Sequence, residues 1–382
     1  MSYVSPVYIE AHVQNSTSMG LVISASSVIG ILCDFIFARI FKQKSFIFFI
    51  WAAIICSALF PISFSLLPPS ISIFMLGMAI WGVYYELLQF SDFNFIKQSL
   101  PLRSYSSGWG MLSSFKATAY FLGPLIAGLL LNTNYTYAFQ GALVFTFTAG
   151  VILFFYSLKL PQTKTPIDER ITPSVSWTNE IKIWITLVGK IWPVYIFIFL
   201  LYLIDSAFWT IGTLLSEQMR QQSPLGGFIL PAYSLPTLFM GLIIGRIFPP
   251  TGKKRLSFLT ASLAGVFIAA IGFITDPLWI VVSVFSASLL LSIAFPEIFA
   301  VFEDYVSRLG KLGNDMIGLQ GSAISLAYIV GPVIAGAAAT FIGNQLTFTL
   351  FGVLVAIYSL AAVFLTPKKI RLPQSELQNS QN

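Results

Sequence analysis

Charge is what this sequence lacks most. Of its 382 residues, 9% are Asp, Glu, Lys or Arg, while 56% are hydrophobic. A water-soluble domain solvates its surface with roughly 25% charged residues. The solvent of this chain is therefore largely lipid, in keeping with a mean hydropathy of +0.82. Cysteine is scarce too. Cys33 and Cys56 both lie in apolar runs, which excludes a disulfide framework or a cysteine metal site and leaves them as small core side chains. The single histidine, His12, sits in a polar stretch, so histidine-based metal sites are excluded and no metal or cofactor is expected. No basic stretch followed by a short apolar run opens the chain, so no cleavable signal peptide is expected. A Walker-type glycine loop is missing, which argues against an ATP-driven pump, and no nucleophile–base pattern points to an enzyme.

What is there in abundance is long apolar runs. A helix crossing ~30 Å of hydrocarbon needs about 20 mostly apolar residues in a row. Such runs lie near 18–40, 45–66, 71–96, 105–130, 137–158, 188–212, 225–248, 256–275, 277–302, 314–341 and 345–366. Backbone polar groups cannot go unpaired in lipid, so an all-α polytopic bundle of eleven spans follows. Pro124, Pro236 and Pro332 fall inside runs and mark expected kinks. Of the 21 basic residues, nineteen lie in the connections after the odd-numbered spans or in the tail. Only Arg220 is on the other side, and only Lys116 is deep within a span rather than at its cytoplasmic end. Basic loops stay cytoplasmic, which puts the N-terminus outside and the C-terminus inside a plasma or inner membrane. The net charge of +6 is thus a topology signal and not a sign of nucleic-acid binding. The longest connection, 159–187, separates an N-terminal half (1–158, five spans) from a C-terminal half with its tail (188–382, six spans). Trp177, Ile181, Trp184 and Val188 recur there at helical spacing, which fits a short helix on the membrane surface or a plain linker.

The halves repeat each other. GPLIAG at 123–128 recurs as GPVIAG at 331–336, an offset of 208. Gly110, Tyr120, Gly123, Pro124 and Gly128 match Gly318, Tyr328, Gly331, Pro332 and Gly336 at that offset. ARIF at 38–41 matches GRIF at 245–248, and Gly20 matches Gly227, at offset 207. Two stretches with nearly one offset indicate a duplication, and both copies run the same way through the membrane, a known transporter plan. Glycines four or five apart let helices approach closely. Gly123, Pro124, Gly128, Gly331, Pro332 and Gly336 therefore form an expected helix-packing repeat.

On these features the chain resembles the major facilitator superfamily. GILCDFIFARIFKQK at 30–44 looks like the family's glycine–aspartate–basic signature, with Gly30, Asp34, Arg39 and Lys42 at matching positions. Phe35 stands where a basic residue is usual. GRIFPPTGKKR at 245–255 looks like the weaker second copy and contributes Arg246. The GP hexamers look like a signature found mainly in the family's antiporters. The resemblance implies two six-helix halves around a central cavity, with Gly30, Asp34, Arg39, Lys42 and Arg246 as a conformational switch. It also implies that MSYVSPVYIEAHVQN (1–15) is the outer end of the family's first helix plus its loop, with the rest of that helix missing. One departure is plain. Drug antiporters of the family usually carry an arginine in the fourth helix, and the run 71–96 has none.

Ionisable groups deep in a membrane are costly and usually functional. Glu86 and Lys116 each lie roughly ten residues from one basic loop, so at ~1.5 Å per residue they share a depth and can pair. Asp205 lies in LYLIDSAFWTIG, and Glu297 follows the kink-forming Pro296. A buried carboxylate without a partner favours its protonated form, which makes Asp205 and Glu297 the candidates for proton coupling. Trp81, Tyr84, Tyr85, Phe208 and Trp209 lie beside these groups and are expected to line the cavity. The function expected is a secondary transporter moving a small solute by alternating access, with protons as a coupling ion, efflux somewhat favoured and a cationic or amphipathic solute suiting the acidic groups. The alternative is a sensor, scaffold or truncated inactive transporter that keeps the fold.

Overall fold

The computed structural model describes residues 1–40, 45–101, 105–131, 134–159, 177–247, 252–309 and 313–367. All regular structure among them is helical: α1 (Val4–Val13), α2 (Ser16–Ile40), α3 (Phe46–Leu66), α4 (Ile71–Ser99), α5 (Tyr105–Leu131), α6 (Tyr135–Lys159), α7 (Trp177–Gln222), α8 (Ile229–Ile247), α9 (Lys253–Ala270), α10 (Pro277–Leu309), α11 (Gly313–Ile342) and α12 (Asn344–Leu365). Ten of these are long and apolar enough to cross a membrane, and α8 carries a shorter apolar stretch. The apolar runs thus become helices because lipid offers the backbone no other hydrogen-bond partner.

Two regions differ from, or sharpen, the sequence expectation. Residues 177–187 are not a separate short helix. They are the first turns of α7, which runs unbroken for 46 residues, and no glycine or proline interrupts the chain before Gly189. The polar stretch 178–182 is simply carried on the end of a long helix. Ahead of α2, residues 4–13 are helical. Gln14, at φ 52°, closes α1 by donating its N–H to the Glu10 carbonyl. Asn15 then caps α2 by accepting from the Ser18 N–H at 2.9 Å. The ten residues of α1 rise about 15 Å, and Tyr3, Val4, Val7, Tyr8 and Ile9 are buried.

The chain divides into two compact units. The first holds Met1–Asp168 together with Trp209–Pro231 and Pro332–Phe341; the second holds Glu169–Phe208, Ala232–Gly331 and Ile342–Asn382. In the first unit Phe49, Ala53 and Leu87 are buried between α3 and α4. An aromatic run of Tyr8, Phe64, Phe74 and Phe139 fills the space below α1, with ring centroids 5.1–6.1 Å apart. In the second unit α9 and α12 cross backbone to backbone. A Cβ on Gly265 would sit 2.6 Å from the Gly352 carbonyl oxygen, and one on Gly352 would sit 2.6 Å from that of Gly265. Flanking hydroxyls donate across the same seam, Ser262 to the Ala356 carbonyl at 3.0 Å and Thr349 to the Ala269 carbonyl at 2.9 Å. Without a hydrophobic drive between helices in lipid, such close contacts and hydroxyl bonds hold the bundle.

Candidate functional site

In the second unit, Asp205 stands at the centre of a ring of phenols. The Tyr233 hydroxyl of α8 donates to its Oδ1 at 2.6 Å, and the Tyr328 hydroxyl of α11 donates to its Oδ2. Tyr202, three residues earlier on α7, lies on the same helix face. Its ring is 5.9 Å from that of Tyr328 and 5.1 Å from that of Phe295. Phe208 stacks on Tyr233 at 4.0 Å, and the Ser288 hydroxyl donates to the Tyr233 carbonyl, so the α8 phenol is fixed from two sides. Gly331 brings α11 against α7 here: a Cβ on it would collide with Ser206. The first glycine of the second hexamer therefore lets Tyr328 reach Asp205.

This corrects the sequence expectation that Asp205 lacks a partner. It accepts two hydrogen bonds from neutral donors. A Tyr328–Asp205 contact was within reach of the sequence only as a repeat position, since Tyr328 pairs with Tyr120; Tyr233 carried no signal. Glu297 is not brought to this cluster. Phe295 and Phe299 both pack on Tyr202, and a residue midway between them on α10 points about 200° away. Among the described residues the Glu297 Oε2 atom is buried with no hydrogen-bond partner.

In the first unit the ionisable residues pair differently from the expected way. Lys116 of α5 donates to Asp92 of α4, not to Glu86. Asp92 lies one and a half turns nearer the basic loop, and the long lysine stem reaches that far. Asp92 has a side chain 10% exposed, against 42% for Lys116. Glu86 instead lies across from Gly30, where a Cβ would be 2.9 Å from its Oε1. Two residues assigned by sequence to separate roles are thus neighbours, with Gly30 giving the carboxylate room. Trp81 stacks on Tyr84 at 4.9 Å and meets Tyr85 edge-on at 5.2 Å; the Tyr85 hydroxyl is 3.3 Å from that of Ser2. Trp209, grouped with this unit, tilts against Tyr120 at 5.3 Å. Of the expected switch, Lys42 and the side chains of Asp34, Arg39 and Arg246 lie outside the described residues. Cys33 and Cys56 are free thiols, and no group of three or more metal-ligating side chains occurs among the described residues.

The two hexamers are used unequally. In α11, a Cβ on Gly336 would collide with the Ser16 carbonyl of α2, and one on Gly20 of α2 with the Pro332 carbonyl. Thr17 and Thr340 hydroxyls meet at 3.0 Å alongside. In α5, Gly123 has nothing within 4 Å of a built Cβ, and Gly128 has only the Arg220 Nη1 at 3.6 Å.

Known structures share this arrangement of helices. A POT family transporter in complex with a thioalcohol conjugated peptide superposes with a TM-score of 0.71 at 13% identity, over 96% of this chain and 93% of that one. The nucleoside transporter NupG does so with a TM-score of 0.70 at 14% identity, over 96% and 95%. At these identities the likeness is one of fold. No curated sequence matches the chain. The family model described as Major Facilitator Superfamily matches it over residues 1–313 and 194–381. The chain therefore belongs to the major facilitator superfamily of membrane transporters.

Proposed function

We propose that the chain moves a small solute across the plasma or inner membrane by alternating access, and that Asp205 couples this movement to protons. The observation that carries the coupling is the pair of phenols on Asp205. A tyrosine hydroxyl both donates and accepts. The ionised carboxylate is satisfied by two donors. The protonated acid can donate to one phenol and accept from the other. An arginine partner would hold the anion only; two phenols serve both states. The carboxylate is thereby free to exchange a proton for a solute cation, which favours a cationic or amphipathic solute. The hexamers' likeness to the antiporter signature favours export. The one-sided basic residues favour an outside N-terminus and a cytoplasmic C-terminus, and the repeat favours halves at 1–158 and 188–382 joined through 159–187.

A hydrophobic carbodiimide reacts with protonated carboxyls in apolar surroundings and tests this without a known substrate. In purified full-length protein, Asp205 is expected to be modified, more at acid than at alkaline pH. Tetraphenylphosphonium, an amphipathic cation, is expected to protect it. Modification of Glu297 but not Asp205, or modification of Asp205 indifferent to both pH and cation, would count against the proposal.

A further inference from the structure

From Leu200 to Ser216 every residue of α7 is buried except Tyr202, Asp205 and Trp209. Positions i, i+3 and i+7 share one helix face, so this length of α7 is packed all round except along one stripe. A carboxylate facing lipid is costly, so the stripe borders a cavity. Phe295, Phe299 and Tyr328, which close around Tyr202, are partly exposed as well. Phe208 and Tyr233, which back the carboxylate, are buried. All of these except Trp209 belong to the second compact unit.

This wall has one charge at one end and rings at the other. Asp205 is the only charged residue of α7 between Lys190 and Glu217. Lys190 and Arg220 each lie fifteen residues from it, about 22 Å along the helix. α8 has no basic residue before Arg246, α10 none before Arg308, and α11 none at all. The two phenols on Asp205 are neutral and leave each carboxylate oxygen a lone pair, so these helices do not compensate its charge. One turn away, the Tyr202 ring meets Phe295 edge to face at 5.1 Å and lies at 31° to Phe299 at 6.2 Å. Apart from the Tyr202 hydroxyl, these three rings offer a solute only apolar, aromatic surface.

We propose that this cleft takes a flat aromatic cation, in which an aryl ring stands two carbons from a positively charged nitrogen. The nitrogen sits at Asp205 and the ring lies against Tyr202, Phe295 and Phe299. Side chains three apart on a helix have Cβ atoms about 5–6 Å apart, which matches the reach from nitrogen to ring centre in an arylethylammonium. A ring placed there gains contact with aromatic faces and edges that a saturated group of the same charge does not. Tyr202, Phe295 and Phe299 are thereby the residues that set specificity. The proposal narrows the cation exchange at Asp205 described above and rests on it.

Two permanently charged probes of matched size test it: trimethyl(2-phenylethyl)ammonium and its saturated counterpart, trimethyl(2-cyclohexylethyl)ammonium. Each is titrated against carbodiimide modification of Asp205 in purified full-length protein, read by mass spectrometry of the peptide that carries it. The saturated ring is the more hydrophobic, so partition into detergent alone would favour it. The phenyl probe is expected to protect Asp205 at about a tenfold lower concentration, as befits aromatic contacts in one cleft. Tyr202→Leu is expected to remove most of that difference, and Tyr202→Phe, which keeps the ring, to retain it. Phe299→Leu is expected to reduce it and covers the case in which Tyr202→Leu does not fold. Equal protection by the two probes, or a preference that survives both leucine variants, overturns the aromatic cleft. Protection by neither probe overturns the cleft and the cation exchange together. A preference for phenyl, lost in the leucine variants, with Asp205 modified equally at all pH values, would support the cleft and tell against the proton coupling alone.

Discussion

At Asp205 and at Lys116 the same problem, a charge inside an apolar bundle, receives two solutions. Asp205 is held by neutral phenols and Lys116 by an opposite charge, Asp92. The second solution is the more brittle. Removing one member of a buried pair strands the other, which costs about 3–5 kcal/mol where both are fully buried. Because the Lys116 side chain is 42% exposed, screening reduces this to about 1–2 kcal/mol. Lys116→Met is expected to lower the unfolding temperature in detergent, and adding Asp92→Asn to restore most of it. Additive losses would show that the pair does not couple. Sequence located Lys116 and the need for a carboxylate at its depth, but chose Glu86. Counting residues from a loop fixes depth only to within a turn or so, and it takes no account of a long, flexible lysine stem. The phenols of Asp205 were less legible still, since a tyrosine in an apolar span looks like any other aromatic until its hydroxyl meets a partner.

Among the elements, the helices themselves were written plainly in the apolar runs, while their ends were not. The extension of α7 back to Trp177 shows why: Trp177, Ile181 and Trp184 carry helical periodicity, but periodicity does not say whether a helix stands alone or continues the next one. What no hydropathy pattern contains is which glycines make contact. Gly123 looks equivalent to Gly331, and Gly352 belongs to no repeat motif, yet Gly352 is in backbone contact with α9 and Gly123 has open space. Gly352→Leu is accordingly expected to force α9 and α12 apart and cost about 1–3 kcal/mol or more. Gly123→Ala should be neutral or stabilising by about 0.5–1 kcal/mol. Thermal unfolding of the two variants side by side checks the order, and a tolerated Gly352→Leu would contradict the described α9–α12 crossing.

For the molecule as a whole, the two GP hexamers match in sequence at an offset of 208, and in the structure they make different contacts. Gly331 and Gly336 seat α11 against α7 and α2, one to deliver Tyr328 to Asp205 and the other to close a seam. Gly128 serves as an acceptor for Arg220. The family was legible from sequence because spans, charge bias and signature residues are properties of the chain in order. The site was only partly legible because α11 brings Tyr328 to Asp205 across 123 residues of chain, and even in the neighbouring α8 nothing in the sequence marks Tyr233 as a partner.

The central claim is that proton and solute movement meet at Asp205. Its most direct test is flux in proteoliposomes loaded with a pH-sensitive dye and holding the full chain or its Asp205→Asn variant. A panel of amphipathic organic cations is added at equal pH on both sides. The account expects at least one cation to shift the internal pH through the unaltered protein and not through the variant. An equal shift through both would contradict it, as would silence from the unaltered protein toward a cation that protects Asp205 from carbodiimide.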